Sequence, residues 1–465
     1  MPRPRRAVAA VALLPLLLAS CSMTPEYRAP EVVVPAAWDG AGQDGAVPAP
    51  TAAARDEAEA WWRRFGNTEL TSLVEMALSA NQDIAAAEQR IAQARAALRS
   101  AGASLSPTLD GSGGLSRLTA GDGASDADTA WSGSLRASWE LDLWGGIRAA
   151  VDAARFGVDR ARFEREATAL TVQAEVADAY VLALALKDRL RIAADNLDAA
   201  RQTLTLVETR VTEGLSPPLE LAQQQATVAT IEANIPALQR QLRAAETALA
   251  VLTGRPPQGV RVAGTSLSEL ALPAPAAGQP ADLLVRRPDI RAAEASLRAA
   301  NADIGAARAA FLPSVTLSLT GGVSGVLTGG TTTALDLASG VAATIFSGGR
   351  LEGALEQAEA TEAELIAGYR QSLLTAFKDV EDALVAADSS ARRTDLLTVA
   401  ADRAREATRV SREQYVAGTA DFLAVLDSQR SQLSAEDSLV QADSDRFSAG
   451  IGLFRALGGS WQTDP

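Results

Sequence analysis

Residues 131–148 read WSGSLRASWELDLWGGIR. Trp131, Gly133, Leu135, Ala137, Trp139, Leu141 and Leu143 alternate without a break with Ser132, Ser134, Arg136, Ser138, Glu140 and Asp142. A period of two describes a strand with one apolar and one polar face. The period then changes. From Ile147 to Arg210 there is no proline and Gly157 is the only glycine, so the run reads as one helix. At about 1.5 Å per residue it would reach roughly 96 Å, longer than a globular protein of this size needs. A two-faced strand feeding a very long helix is the unit from which the rest of the chain is read.

That unit occurs twice. Gly145-Gly146-Ile147-Arg148 returns as Gly348-Gly349-Arg350-Leu351, Glu213-Gly214-Leu215 as Ala417-Gly418-Thr419, and Ser106-Pro107-Thr108-Leu109 as Leu312-Pro313-Ser314-Val315. The offsets (146 to 349, 214 to 418, 107 to 313) are 203, 204 and 206. A repeat this long means two copies of one structural unit. It argues against a single catalytic pocket.

The expected organisation follows from the repeat. Residues 1–20 form a signal peptide and 21–60 a Pro- and Ala-rich extended leader. The first repeat occupies 61–256 and opens at Trp61-Trp62. It holds a helix from Thr68, as N-cap, to about Gly102, a β-hairpin at about 105–144, a long helix at about 147–212 and a return helix at about 217–253. Residues 257–280 link it to the second repeat, 281–460. That repeat has a helix to about Ala309, a hairpin at about 313–347, a long helix at about 349–417 and a return helix at about 420–458, before a 461–465 tail. The hairpin loops are placed at Thr119–Thr129 and Gly325–Ala334, and Leu335, Leu337, Val341, Ala343 and Ile345 form the last strand. The alanine-rich long helices favour antiparallel coiled-coil hairpins.

Composition excludes whole classes of function. There is no histidine, so Ser-His-Asp and Cys-His nucleophiles and histidine metal sites are ruled out. The only lysines are Lys187 and Lys378, neither in a phosphate-binding loop. A net charge of −14 disfavours nucleic acid as a partner. No cofactor is called for.

Arg3, Arg5 and Arg6 precede an apolar run from Ala7 to Leu18, the build of a secretory signal, so the mature chain leaves the cytoplasm. The run ends in Leu18-Ala19-Ser20-Cys21, which resembles the lipobox of bacterial lipoproteins, with the chain's only cysteine, Cys21, as the acylated residue. Ser22 resembles the outer-membrane sorting pattern. No apolar stretch after Leu18 is expected to reach the length of a transmembrane helix, so a membrane-spanning part must be built from strands. A soluble sheet would show the same alternation. Helices leaving each hairpin on one side, and Trp131, Trp139 and Trp144 toward the ends of the apolar face, favour a membrane barrel. Four strands cannot close one, so the subunits must pool strands.

The lipobox, Trp61-Trp62, Arg287-Pro288-Asp289-Ile290, the duplicated hairpins and the segment from Tyr415 to Asp427 together resemble the TolC/OprM-like outer-membrane efflux proteins, lipoprotein branch. The resemblance implies an α+β membrane protein. Long α-helical coiled-coil hairpins form a periplasmic α-barrel, and three chains with four strands each form one 12-stranded outer-membrane β-barrel. It implies a passive exit duct for drugs or other small toxic compounds, lipid-anchored in the outer membrane. Its partners would be a periplasmic adaptor and an inner-membrane transporter of the resistance-nodulation-division type. Tyr415, Leu423, Asp427 and Arg430 match the family's periplasmic gate, Leu423 and Asp427 as constriction rings, Tyr415 and Arg430 as linkages. Leu423 and Asp427 are i and i+4 on one helical face. Ala420 and Ala424 depart from members with charge there. The first copy has Leu219, Glu220 and Gln223 at its tip, without a matching Asp and Arg, which makes it the expected adaptor-contacting wall.

Two other classes compete. A structural coiled-coil lipoprotein would keep its strands in a small soluble sheet. A hydrolase using only carboxylates would need a cleft that this repeat does not offer.

Overall fold

The computed structural model describes residues 22–39, 57–118, 128–273 and 279–459. Cys21, the signal residues and loop residues 119–127 lie outside them. In chain order the main elements are α1 (Thr68–Ala80), α2 (Gln82–Ala103), β1 (Thr108–Leu118), β2 (Asp128–Leu141), α3 (Gly146–Thr212) and α4 (Pro218–Leu252). Then come α5 (Leu283–Arg286), α6 (Pro288–Ala309), β3 (Ser314–Val326), β4 (Thr331–Ala342), α7 (Arg350–Val416) and α8 (Phe422–Ala456). The chain divides into two compact units, the first from residues 1–32, 88–163 and 291–372, the second from 33–87, 164–290 and 373–465.

The first unit is built on one antiparallel sheet in the order β1-β2-β3-β4. The register runs Leu109↔Ala137↔Leu319↔Leu337 and Gly111↔Leu135↔Gly321↔Leu335, so all four apolar faces coincide. Ser112, Ser134 and Thr320 stand on the opposite face, where the Ser112 and Ser134 hydroxyls meet at 2.8 Å. Leu335 and Leu337 are 76% and 81% exposed. An apolar sheet face left open this way marks a contact surface. At the base, Trp144 Nε1 donates to Pro313 O at 2.7 Å and Asp142 caps α3 by accepting from Ile147 and Arg148 N–H, both at 3.0 Å. The leader crosses α6 at Gly305, where a Cβ would lie 2.2 Å from Thr24 Oγ1.

In the second unit Trp61, fully buried, stacks on Phe454 at 5.2 Å and its Nε1 donates to Gln173 at 3.1 Å. Lys187 Nζ donates to Val262 O and Gly264 O at 2.5 and 2.6 Å and ties the linker to α3. Trp38 of the leader packs edge-on against Phe377. Helix α3 has α4 on one side, through Gln224 Nε2 to Ala200 O at 2.8 Å, and α8 on another, through Arg189–Asp437 at 2.6 Å and Asn196 Nδ2 to Glu436 at 2.9 Å. Helix α7 packs on α8, through Arg405–Glu436 at 2.6 Å and Thr408 Oγ1 to Ser428 O at 2.9 Å.

The structure corrects several expectations. The helix from Thr68 is two helices, and its cap is Asn67, whose side chain accepts from Leu70 N–H at 2.9 Å. The break lies at Asn81, extended at ψ 132°; its Oδ1 accepts from Asp83 and Ile84 N–H and its Nδ2 donates to Leu252 O at 2.9 Å. The helix expected from 281 breaks at Arg287, ψ 120°, because the residue before Pro288 is sterically kept from the helical region. Strand β4 ends at Ala342, short of Ala343 and Ile345. The loop placed at Gly325–Ala334 shrinks to 327–330, because Thr331–Thr333 pair with Val323–Gly325. Helix α3 does contain a stretch long and apolar enough to cross a membrane, but 67% of it is buried inside the protein, so it is a core helix.

Asn81→Ala removes three hydrogen bonds at the α1–α2 break and leaves Leu252 O unpaired. It is expected to lower stability by about 1–3 kcal/mol. The thermal midpoint followed by circular dichroism checks this; an unchanged midpoint would show that the break is held by something else.

Candidate functional site

The two long helices end with the same chemistry. Helix α3 closes at Gly214, φ 73°, with Leu215 N–H donating to Arg210 O at 2.7 Å and Gly214 N–H to Val211 O at 3.0 Å. Helix α7 closes at Gly418, φ also 73°, with Thr419 N–H to Gln414 O at 2.9 Å and Gly418 N–H to Tyr415 O at 3.0 Å. This paired closure needs a left-handed residue, which glycine supplies without a Cβ clash. The return helices start differently. Pro217 and Pro218 begin α4, whereas the Asp421 side chain caps α8 by accepting from Ala424 N–H at 3.0 Å.

Tyr415 joins the two tips. It is 3% exposed, lies 5.4 Å from the Phe422 ring and shares an apolar cluster with Val207, Val425 and Leu426. Its hydroxyl donates to the Glu220 carboxylate at 2.7 Å and lies 3.3 Å from Ser216 Oγ. Arg210 Nε donates to Ser216 Oγ at 3.2 Å, and its guanidinium stands 4.8 Å from the centre of the Tyr415 ring. The donors run in one direction, Arg210 to Ser216 to Tyr415 to Glu220, from a cation to an anion, which strengthens each bond in the series. Burial, and then the Glu220 carboxylate, push the Tyr415 phenol above its ordinary 10.0, against the lowering effect of Ser216 and Arg210.

The other expected residues lie elsewhere on the tip. Leu423 is 56% exposed, and Asp427 and Arg430 are also exposed. Among the described residues Asp427 and Arg430 make no ion pair with each other. Arg430 stands about two turns up α8 from Phe422. It lines a groove of 440 Å³ with Arg189 and Asp437. Within the chain, therefore, Tyr415 is linked to Glu220 and not to Arg430. Leu219 is 64% exposed and Gln223 half-buried. Sequence reading missed Arg210 and Ser216. It looked for a first-copy arginine after the turn, where Arg430 stands in the second copy, and the arginine lies before the turn.

The sequence model of the outer membrane efflux protein family matches residues 73–255 and 280–459. The chain belongs to that family. It is 38% identical over 473 residues to the pyoverdine export outer membrane protein OpmQ of Pseudomonas putida KT2440, covering 97% of each chain. It is 32% identical over 465 residues to the cation efflux system protein CusC of Escherichia coli O6:H1 strain CFT073, covering 96% of this chain and 97% of that one. Among solved structures it is similar to the outer-membrane channel OprN, with a TM-score of 0.85 and 28% identity over 95% of this chain and 100% of that one. This outer membrane efflux protein is a channel component, from a family of transport ducts and not of enzymes.

Tyr415→Phe removes the donor to Glu220 and is expected to weaken the tip by about 1.5–3 kcal/mol, the range for a hydrogen bond to a charged group. Because folding raises the phenol's pKa, the link is fully present below pH 10.0 and is lost as pH climbs through the raised value. Ultraviolet titration of phenolate checks this. Tyr27, Tyr180 and Tyr369 are raised as well, so the wild type should show one phenol more titrating above 10.0 than Tyr415→Phe does, and loss of a phenol that titrates at or below 10.0 would remove the link.

Proposed function

We propose that three copies join edge to edge into one outer-membrane barrel of 12 strands, four from each chain, continuous with a helical tunnel through the periplasm. One observation carries this reading. Among the described residues the sheet has four strands, an exposed apolar face and two unpaired edges, β1 and β4. Unpaired backbone groups are not tolerated in hydrocarbon, and the smallest membrane barrels have about eight strands, so a lone chain has no stable way to span the membrane. A soluble scaffold would have to cover the same apolar face, and the family match favours the duct.

In this reading the duct is passive and belongs to a tripartite system. A periplasmic adaptor and an inner-membrane transporter deliver drugs or other small toxic compounds, and the duct conducts them to the exterior. Acylation of Cys21 anchors the leader to the outer membrane.

The duct is gated at the helix tips. Leu423 and Asp427 lie one turn apart on an exposed face of α8, so three copies around one axis would form a leucine ring and a carboxylate ring. Tyr415 holds the two hairpins of each chain together, and Arg430 links neighbouring chains. Leu219, Glu220 and Gln223 face the adaptor; since Glu220 is the acceptor of Tyr415, an adaptor that displaced its carboxylate would loosen the tip directly.

Purified protein in planar bilayers tests the proposal. The wild type should conduct weakly, and Leu423→Ala with Asp427→Ala should raise conductance several-fold; silence of both forms would sink the channel. Labelled palmitate should enter the wild type and not Cys21→Ser, and equal labelling would remove the anchor.

A further inference from the structure

The three tryptophans of β2 and its base differ in what their indole N–H groups do. Trp139 Nε1 donates to Leu105 O at 3.1 Å and Trp144 Nε1 donates to Pro313 O at 2.7 Å. Trp131, at the other end of β2, has no acceptor among the described residues. Its ring lies over Gly325 of β3, where a Cβ would come within 3.1 Å of Nε1.

A lone cation stands beside it. In the register of β1 with β2, Leu115 is opposite Trp131 and Arg117 is opposite Thr129. Arg117 and Trp131 are therefore diagonal neighbours on one face of the sheet, roughly 7 Å apart. That face is the apolar one, shared with Leu109, Leu135, Leu319 and Leu337. Among the described residues Arg117 is the only charged side chain on it; Asp110, Arg136, Glu140 and Asp336 all stand on the polar face. Arg117 is exposed and makes no ion pair among the described residues.

The level at which this pair stands says what it meets. From Trp139 to Thr129, level with Arg117, β2 advances ten residues, about 34 Å at 3.4 Å per residue. At a strand tilt of about 40° that is about 26 Å of membrane thickness, close to the apolar band of about 25 Å on outer-membrane barrels. The face changes composition at the same level. Leu335 and Leu337 of β4 give way to Thr333 and Thr331, and Thr129 lies opposite Arg117. Below the pair, Leu115 and Leu135 are 73% and 60% exposed. A cation, a free indole donor and hydroxyls thus crown an open apolar wall, which suits a lipid with an anionic, hydroxyl-rich headgroup.

We propose that Arg117 and Trp131 hold a phosphate of the glycolipid of the outer leaflet, a molecule of the lipid A type, against the outside of the barrel rim. The inference rests on the barrel reading above, which turns the helix-free end of the sheet outward and the apolar face to lipid. The guanidinium presents paired N–H donors to the phosphate oxygens, and Trp131 Nε1 adds another. Thr129 faces the sugar, and the acyl chains lie along Leu115 and Leu135. A phosphoethanolamine headgroup carries its own ammonium to neutralise its phosphate, whereas a phosphorylated sugar leaves its charge for the protein to meet. The two basal tryptophans, their N–H groups already given to backbone carbonyls, have no donor to offer a lipid in this way.

Native mass spectrometry of the full chain in neutral detergent, titrated with purified lipid A, tests the site. The wild type should take up one lipid A per chain. Arg117→Gln should bind it about tenfold more weakly, and Trp131→Phe, which keeps a ring and removes the donor, about threefold more weakly. Arg136→Gln, which removes the cation of the opposite face, should bind as the wild type does. Equal affinity of wild type and Arg117→Gln would overturn the proposal, and so would equal affinity of the wild type for lipid A and phosphatidylglycerol. A protein that conducts in planar bilayers while its variants bind lipid A alike loses the lipid site and keeps the barrel. One that neither conducts nor enters lipid vesicles loses the barrel, and the site with it.

Discussion

Backbone hydrogen bonding at the edges of a four-stranded sheet constrains everything else in this protein. Among the described residues, strands β1 and β4 each pair on one side only, and the apolar face that they share with β2 and β3 is open. In water such an edge invites any passing strand, and in a membrane every unpaired group costs several kcal/mol. In the proposed reading, a chain with this sheet is one part of a closed structure. Among the described residues the helices repeat the condition in another form: α3 is covered by two return helices and α7 by one. The proposed remedy for both kinds of incompleteness is another copy of the chain.

Duplication explains why the remedy is available. Two copies of a strand-and-helix unit inside one chain make the inner junction, β2 with β3 and α3 with α8, a rehearsal of the outer one proposed above. The copies then diverge where they serve different ends. The first keeps Trp144 bonded to Pro313 at the base of the sheet, where the second has Ser347. At the tips the first supplies Arg210, Ser216 and Glu220, and the second supplies the Tyr415 that they hold. The tip is therefore a joint between unlike halves.

Much of this was legible in the sequence because its periods are physical. Alternation at 131–143 reports a strand with two unlike faces, and the unbroken run after Gly146 reports a helix too long for a globular core. The breaks at Asn81 and Arg287 were not legible as apolar periodicity, which continues across them. Asn81 acts through a distant acceptor, Leu252 O, and Arg287 through the ring of Pro288. The hydroxyls of Thr331–Thr333 looked like loop and are strand, since pairing with β3 overrides composition. At the tip, Tyr415 and Glu220 were found but not their pairing, and Arg210 and Ser216 were missed, because Tyr415 and Glu220 are 195 residues apart and no local pattern joins them.

The central claim is that the chain is complete only as a ring of copies. Native mass spectrometry of the protein released from detergent weighs the assembly directly. A single species with the mass of three mature chains is predicted. A stable single chain, soluble without detergent and with its sheet intact, would contradict the account.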